Sequence, residues 1–476
     1  MIRQYQTDGR YAINTLLNAK RNPLLLMPTG TGKTFTAVEI LKDRINLNRR
    51  VFVTVPQIEI LDQWCTACSH AGVEYGIIND KGIQGRNKPV YICMPLSLLN
   101  IVHLLPKSIH PDEIFNDEAH LTIAKTYNDI HSAFPDASIF GMTGTCYRLS
   151  NEPLGDVYTD IVEPIKISEA INQDYLAKPL LMVPELYHMN VKINNGDYDV
   201  EEQAEQLGKA KIIGNVIDNY ANVFCGLPVM VACSTTKHAE VMTDAFIQAG
   251  WNFKHLHSKL NKTDRRKIIR EIRENKINGI VTVGVGIIGL DIPGLYGVLW
   301  LRRTLSLVIW MQTNGRVLRS FPGKTYGIIM DFVGNCFIHG RPELDRQWSL
   351  ESDYKPDEVK APRMRVCPIC GVMNAYENLK CHICGEDLSQ INGKKERKLP
   401  IMCDGKLVVL SDDLKDSEWL QNRINERKTE NIELLKEENK VVLVEFTKDE
   451  KKMILNRNLT GKKVESIFAE TLQKYI

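Results

Sequence analysis

Two short runs have the composition needed to hold and cleave a phosphoanhydride. Met27-Pro-Thr-Gly-Thr-Gly-Lys-Thr34 has the make-up of a phosphate cradle, and Asn116-Asp-Glu-Ala-His120 offers paired carboxylates. Glycines let a loop turn its backbone N–H groups toward β- and γ-phosphates, and a following helix adds its positive end. Within Thr29-Gly30-Thr31-Gly32, the two glycines supply that freedom. Lys33 brings charge for the β/γ-oxygens and Thr34 a hydroxyl for Mg²⁺. Asp117 is of the right type to hold Mg²⁺ through water, and Glu118 to orient or deprotonate an attacking water. Together the runs predict hydrolysis of a nucleoside triphosphate. A third run, Gln312-Thr-Asn-Gly-Arg-Val-Leu-Arg319, sets Arg316 and Arg319 three apart, on one side of a helix. Such a pair serves either as arginine fingers on a γ-phosphate or as a solvated basic face.

Elements to carry these groups are legible around them. Apolar runs at 23–27, 51–55, 90–94, 113–115 and 138–142 read as buried parallel strands separated by crossover helices. Asp117 and Glu118 then lie at a sheet's carboxyl edge, where open α/β sheets bind ligands. A second series at 229–233, 279–283, 297–301 and 326–330 alternates with helical patterns near 236–249, 263–275 and 306–319. The expected fold is α/β, with two tandem doubly wound parallel-sheet domains over 1–165 and 211–350. A connector spans 166–210, with a turn at Asn194-Asn195-Gly196-Asp197. The second series lacks a phosphate loop of its own, so nucleotide is expected between the two domains. A small cysteine module at 361–390 and an α+β accessory tail at 395–476 complete the chain.

With 476 residues, 43% hydrophobic and 25% charged, the chain suits an ordinary soluble protein of two or three domains. No run approaches the roughly 20 apolar residues of a membrane span, and no secretory pattern opens the chain, so a cytoplasmic location is expected. Sixty basic against 58 acidic residues leave a net charge of +2, which excludes a polybasic coat but not a local phosphate-binding groove. Among 12 cysteines, Cys367, Cys370, Cys381 and Cys384 form two Cys-x-x-Cys-Gly knuckles. Four thiolates with no open position predict a structural tetrahedral Zn²⁺, with a redox pair or an iron–sulfur cluster as the alternatives. Cys65 and Cys68 share that spacing but have no second pair nearby, so core packing is expected. Arg265, Arg266, Lys267, Arg270 and Arg273 read as a solvated helix face.

The motifs occur in an order that resembles superfamily 2 helicases and translocases across residues 3–335. Arg3-Gln-Tyr-Gln6 is similar to the adenine-reading segment, which implies Gln6 as base contact. Residues 27–34 resemble motif I, although Met27 stands where the general loop has glycine. Val55-Pro56 through Gln63-Trp64 resembles motif Ia, implying nucleic-acid contact at Pro56 and Gln63. Asp117-Glu-Ala-His120 is similar to the DEAH form of motif II. Thr143-Gly-Thr145 with Arg148 resembles motif III, which couples ATP state to the nucleic-acid site. Ser234 falls at motif IV and Thr282 at the start of motif V, both implied to face nucleic acid. Gly289 and Asp291 of motif V are implied near the nucleotide, and Gln312, Gly315, Arg316 and Arg319 match motif VI.

The Gly289-Leu-Asp291-Ile-Pro293 ending of motif V is more similar to DNA translocases than to DEAD-box RNA helicases. Asp331-Phe-Val-Gly-Asn335, His339-Gly340 and Trp348-Ser-Leu350, followed by four cysteines, resemble RadD-like bacterial repair helicases and phage helicases of branched DNA. The resemblance implies two RecA-like domains that clamp ATP·Mg²⁺ while single-stranded, forked or branched DNA crosses both. It further implies DEAH-type helicase work in replication, recombination or repair, branch migration included. Three other readings stay open: an RNA helicase, the motor subunit of a restriction system, and a zinc-bearing nucleic-acid scaffold with an inactive ATP site.

Overall fold

The computed structural model describes residues 2–146, 153–184, 192–194, 197–207, 210–257, 260–283, 292, 294–351 and short stretches between 364 and 422. The chain divides into two compact units, Met1–Ser411 and Asp412–Ile476, and both large sheets belong to the first. The tail features expected at 414–446 lie outside the described residues, apart from Trp419 and Asn422.

Short runs of Val, Leu, Ile and Phe bury both faces, which is what a parallel strand under helices on two sides requires. The first sheet runs Gly82–Gln84, Tyr75–Asn79, Val90–Cys93, Val51–Thr54, Glu113–Asp117, Ser138–Thr143, Pro23–Leu26, Asp160–Val162. Every neighbouring pair is parallel except the first. Strand periodicity sorts the side chains between layers. Val51, Val53 and Val55 pack with helices Gln4–Asn18, Lys33–Asn46 and Ile58–His70, whereas Phe52 packs on the opposite side with Leu98, Ile130 and Phe134. Three adjacent strands thus deliver Met27, Asp117 and Thr143 to one carboxyl edge.

A buried ion pair registers the elements that carry the first two motifs. Arg44, near the end of the helix that opens at Lys33, donates through Nε to Glu113 Oε1 at 2.9 Å, and through Nη1 to Asn18 Oδ1 at 2.6 Å. Both charged side chains are 2–3% exposed, and Glu113 opens the strand that ends at Asp117. Removing one partner strands a buried charge, so Arg44→Leu should lower unfolding free energy by about 3–5 kcal/mol. The double replacement Arg44→Leu/Glu113→Leu should recover most of that loss; chemical denaturation of both variants provides the check.

The second sheet runs Phe253–Leu256, Gly279–Val283, Val229–Cys233, Gly297–Leu301, Tyr326–Asp331, Lys178–Pro184, Leu407–Val409, antiparallel only at the last pairing. Lys178–Pro184 comes from the stretch read as connector. Its apolar run Leu180–Val183 is buried and pairs in parallel with Tyr326–Asp331. Tyr75–Asn79 and Phe253–Leu256 also escape the sequence reading: the first alternates between buried and half-buried residues, and the second buries only its two ends, so neither forms a continuous apolar run. The expected turn at 194–197 is bracketed by antiparallel pairing of Asn194 with Asp197, while residues 195 and 196 lie outside the described set.

Candidate active site

Backbone geometry shapes the phosphate loop first. Gly30 and Gly32 take φ of 95° and 90°, left-handed values that a Cβ disfavours. A Cβ on Gly32 would in addition stand 2.5 Å from Gln6 Nε2. The helix opens at Lys33, so its first N–H groups lack intrahelical acceptors and aim toward whatever occupies the loop. Lys33 Nζ rests on Met27 O at 3.1 Å. Gln6 Nε2 donates to Thr31 O at 3.0 Å and Gln6 Oε1 accepts from Arg3 N at 3.0 Å. The implied base reader is thus joined to the loop itself.

Asp117 ends its strand and Glu118 follows with φ 52° and ψ 53°. Left-handed backbone at a glutamate costs on the order of 1–3 kcal/mol and is characteristic of functional positions. Asp117 Oδ1 accepts the N–H of Glu118 at 2.8 Å, and Oδ2 accepts Trp64 Nε1–H at 2.7 Å. Burial and the adjacent Glu118 charge raise the Asp117 pKa, against the opposing pull of Trp64 and Lys33. A crowded carboxylate pair of this kind fits a cation, and Thr34 lies in the first turn of the helix that follows the phosphate loop. His120 Nδ1 lies 3.2 Å from Thr143 Oγ1 and 3.4 Å from Glu118 Oε2, while Thr143 Oγ1 also meets the backbone of Thr145. Motifs II and III are therefore in direct contact. Arg148 lies outside the described residues.

The second lobe closes the site. Helix Leu307–Val317 is N-capped by Ser306, whose Oγ accepts from Ile309 N. The loop before it hangs on Asn335, which accepts from Thr304 N and donates to Arg302 O, each at 2.9 Å. His339 Nε2 lies 2.8 Å from Thr304 O, and Trp310 Nε1 donates to Gly340 O at 3.2 Å. These residues serve as structural support. So held, the helix crosses the phosphate loop closely enough that a Cβ on Gly315 would sit 2.6 Å from Thr29 Cβ. Gln312 Nε2 donates to Glu118 Oε2 at 3.0 Å across the cleft.

Arg316 is buried where the charges of Asp117 and Glu118 act on it, and Arg319 packs against Gly30. Burial lowers the pKa of Lys33, Arg316 and Arg319, the last to about 10, and both arginines bear electrostatically on Lys33. The two lobes thus meet over one loop, each bringing polar groups that the other lacks.

Other expected positions fall differently. Pro56 lies just before the helix Ile58–His70 and Gln63 within it, and both are half-buried. Ser234 is buried and donates to Gln203 Oε1 and Leu301 O; Thr282 is wholly buried and donates to Val231 O. In this arrangement neither hydroxyl is open to a nucleic-acid backbone, because both are spent within the second lobe. Gly289 and Asp291 lie outside the described residues, as do Cys367, Cys370, Cys381 and Cys384. Cys65 and Cys68 pack in the first core. The basic helix Lys262–Arg273 is not simply a solvated face: Arg265 pairs with Glu59 at 2.8 Å and Arg266 with Asp62, both on the motif Ia helix. Trp64, inside the motif Ia match but given no role there, is the direct neighbour of Asp117 that the sequence left unassigned. A tryptophan on a buried helical stripe needs an acceptor for its N–H, and that requirement could have flagged it.

Two family models match the chain. The one described as the type III restriction enzyme res subunit covers residues 1–148, and the helicase conserved C-terminal domain covers residues 209–321. A 51.5 kDa protein of Lactococcus phage (isolate 7-9) is 28% identical over 378 residues, 79% of this chain and 80% of its own. Putative helicase 22 of Sulfolobus islandicus filamentous virus is 22% identical over 385 residues, 74% of this chain and 68% of its own. In fold, the chain is similar to a fragment of a putative HsdR subunit of a type I restriction enzyme from Vibrio vulnificus, with TM-score 0.57 and 18% identity over 74% of this chain and 69% of that one. With two RecA-like lobes joined across one phosphate loop, and these matches over both, the chain is an ATP-hydrolysing nucleic-acid motor of helicase superfamily 2.

Proposed function

We propose that this motor is a DNA translocase that works on forked or branched DNA in replication, recombination or repair, in the cytoplasm of a bacterial or phage-infected cell. The motif V ending Gly289-Leu-Asp291-Ile-Pro293 supports the DNA reading, and the phage relative fits a phage-infected cell. A motor subunit of a restriction system is the second reading, favoured by the res-subunit match over residues 1–148. The observation that carries the mechanism is the cross-cleft bond from Gln312 to Glu118. It ties the position of the second lobe to the carboxylate assigned to the attacking water.

In this reading ATP lies in the loop Thr29–Thr34, with Gln6 toward the base and Lys33 at the β/γ-oxygens. Thr34 and Asp117 would hold Mg²⁺, which neutralises charge on the phosphate oxygens when bound. Glu118 orients the water and accepts its proton; Arg316 and Arg319 steady the charge that develops on the γ-phosphate. Gly289 and Asp291 complete the nucleotide side. Thr143 and Thr145, through His120, pass the state of the site toward Pro56, Gln63, Ser234 and Thr282 on the nucleic-acid side. Because Ser234 and Thr282 are spent internally in this arrangement, loading of DNA requires the second lobe to rearrange locally. Alternating grip by the two lobes, 1–165 and 211–350, then converts closure and opening into steps along a strand.

Residues 361–390 form a zinc module in the same proposal. Strands Met364–Val366 and Met373–Ala375, on either side of Cys367 and Cys370 in sequence, pair antiparallel, and Lys380 pairs with Asp387 on either side of Cys381 and Cys384. Cys381→Ser should lose one equivalent of zinc by mass spectrometry of the purified chain; full retention would point to other ligands.

ATP turnover measured in parallel with single strands, duplex, forks, four-way junctions and RNA tests the substrate. Greatest stimulation by forks or junctions supports the proposal, whereas stimulation by RNA alone refutes it. Binding through phosphates should also fall by about three orders of magnitude between 50 and 200 mM salt. A flat salt response would rule out backbone tracking.

A further inference from the structure

Helix Ile58–His70 has two working faces. On its outer face Glu59 and Asp62 pair with Arg265 and Arg266 of the second lobe. Its inner face buries Ile60, Leu61, Trp64 and Cys68. Trp64 is wholly buried and donates Nε1–H to Asp117 Oδ2 at 2.7 Å, while Asp117 Oδ1 accepts the N–H of Glu118. With one fixed donor on each oxygen, the carboxylate cannot swing without leaving a buried N–H unsatisfied. A core-filling role alone would not need the indole nitrogen.

We propose that Trp64 is a positioning residue for hydrolysis, holding Asp117 in its metal-binding rotamer and relaying engagement of the second lobe to that carboxylate. The inference rests on the metal-holding role given to Asp117 above. The sheet fixes Asp117, whose strand pairs with Val51–Thr54, and the second lobe pulls on the helix from outside. Any shift of the helix therefore appears as a change at the indole–carboxylate bond. Outer-shell partners of this type tune metal sites by orienting the direct ligands.

The test uses the full chain with Trp64→Phe, and with Trp64 replaced by 3-benzothienylalanine, which keeps the indole shape but carries sulfur in place of N–H. Mn²⁺ affinity of the ADP complex, read by electron paramagnetic resonance, should weaken by about tenfold, and kcat should fall by about tenfold. KM for ATP should stay within about twofold, since the phosphate loop is untouched. Should Trp64→Phe fail to fold, the isosteric analogue decides. Wild-type Mn²⁺ affinity and turnover in that analogue would overturn the proposal.

Glu59→Gln with Asp62→Asn should lower nucleic-acid-stimulated turnover in the wild-type background and add no loss in the analogue background. Additive losses would refute the relay. Lys33→Ala run alongside separates the two readings. If it keeps turnover, the triphosphate site is misassigned; if it is inactive while the analogue is normal, only the role of Trp64 fails.

Discussion

Glu118→Gln should reduce ATP turnover by about 10²–10⁴-fold while ATP still binds, the loss expected when a general base is removed. Glutamine keeps the length of the side chain and an oxygen that accepts from Gln312 Nε2, now 3.0 Å away. The contact between lobes therefore survives, and only proton acceptance and charge are lost. The left-handed backbone at φ 52° is no worse for glutamine than for glutamate. Loss of the Glu118 charge also relieves Asp117, whose pKa that charge helps to raise. Phosphate release and fluorescent-nucleotide binding, measured on the same preparation, check both halves. Normal hydrolysis by the purified variant would remove Glu118 from the role proposed.

Arg316→Ala and Arg319→Ala should each cut turnover by about 10³-fold, with nucleotide affinity much less affected. Their placement sets the expectation. Arg316 is buried within the field of Asp117 and Glu118, and Arg319 packs on Gly30 of the phosphate loop. Burial lowers both pKa values, yet even at about 10 for Arg319 the guanidinium keeps its proton at neutral pH. Each is charged and sits beside the phosphate loop on the second lobe. Arg319→Lys should recover only part of the rate, since an ammonium lacks the planar fork. Rapid-quench turnover with saturating ATP is the measurement; an unchanged turnover number for either alanine variant would exclude that arginine as a finger.

The features legible before folding were those written into consecutive residues. A loop with Gly30 and Gly32 ahead of a helix, an acidic pair after an apolar run, and arginines three apart each follow from local conformation. The continuous apolar strands were legible for the same reason, since burial on both faces leaves no polar alternation to confuse the pattern. Tyr75–Asn79 and Phe253–Leu256 were missed because half-buried strands lack such runs. Lys178–Pro184 carries such a run at Leu180–Val183 and was passed over as connector, yet it pairs in parallel with Tyr326–Asp331, almost 150 residues further along the chain.

Pairings between distant residues were a different matter. Nothing adjacent to Trp64 names Asp117 as its acceptor, and nothing near Arg265 names Glu59. A basic helix viewed alone resembles a solvated face, and only the approach of the first lobe turns Arg265 and Arg266 into ion-pair partners. Ser234 and Thr282 show the converse. Their motif positions imply exposure to nucleic acid, but Gln203, Leu301 and Val231 absorb both hydroxyls.

Residue order alone thus specified an ATP-hydrolysing α/β motor, because cradling phosphate and presenting carboxylates are tasks that short segments perform with their own backbone geometry. Which groups share a carboxylate, which hydroxyls remain open and which charges span the cleft depended on the folded chain. Those outcomes arise from side chains tens to hundreds of residues apart, and a buried donor or charge takes whichever partner packing brings within reach.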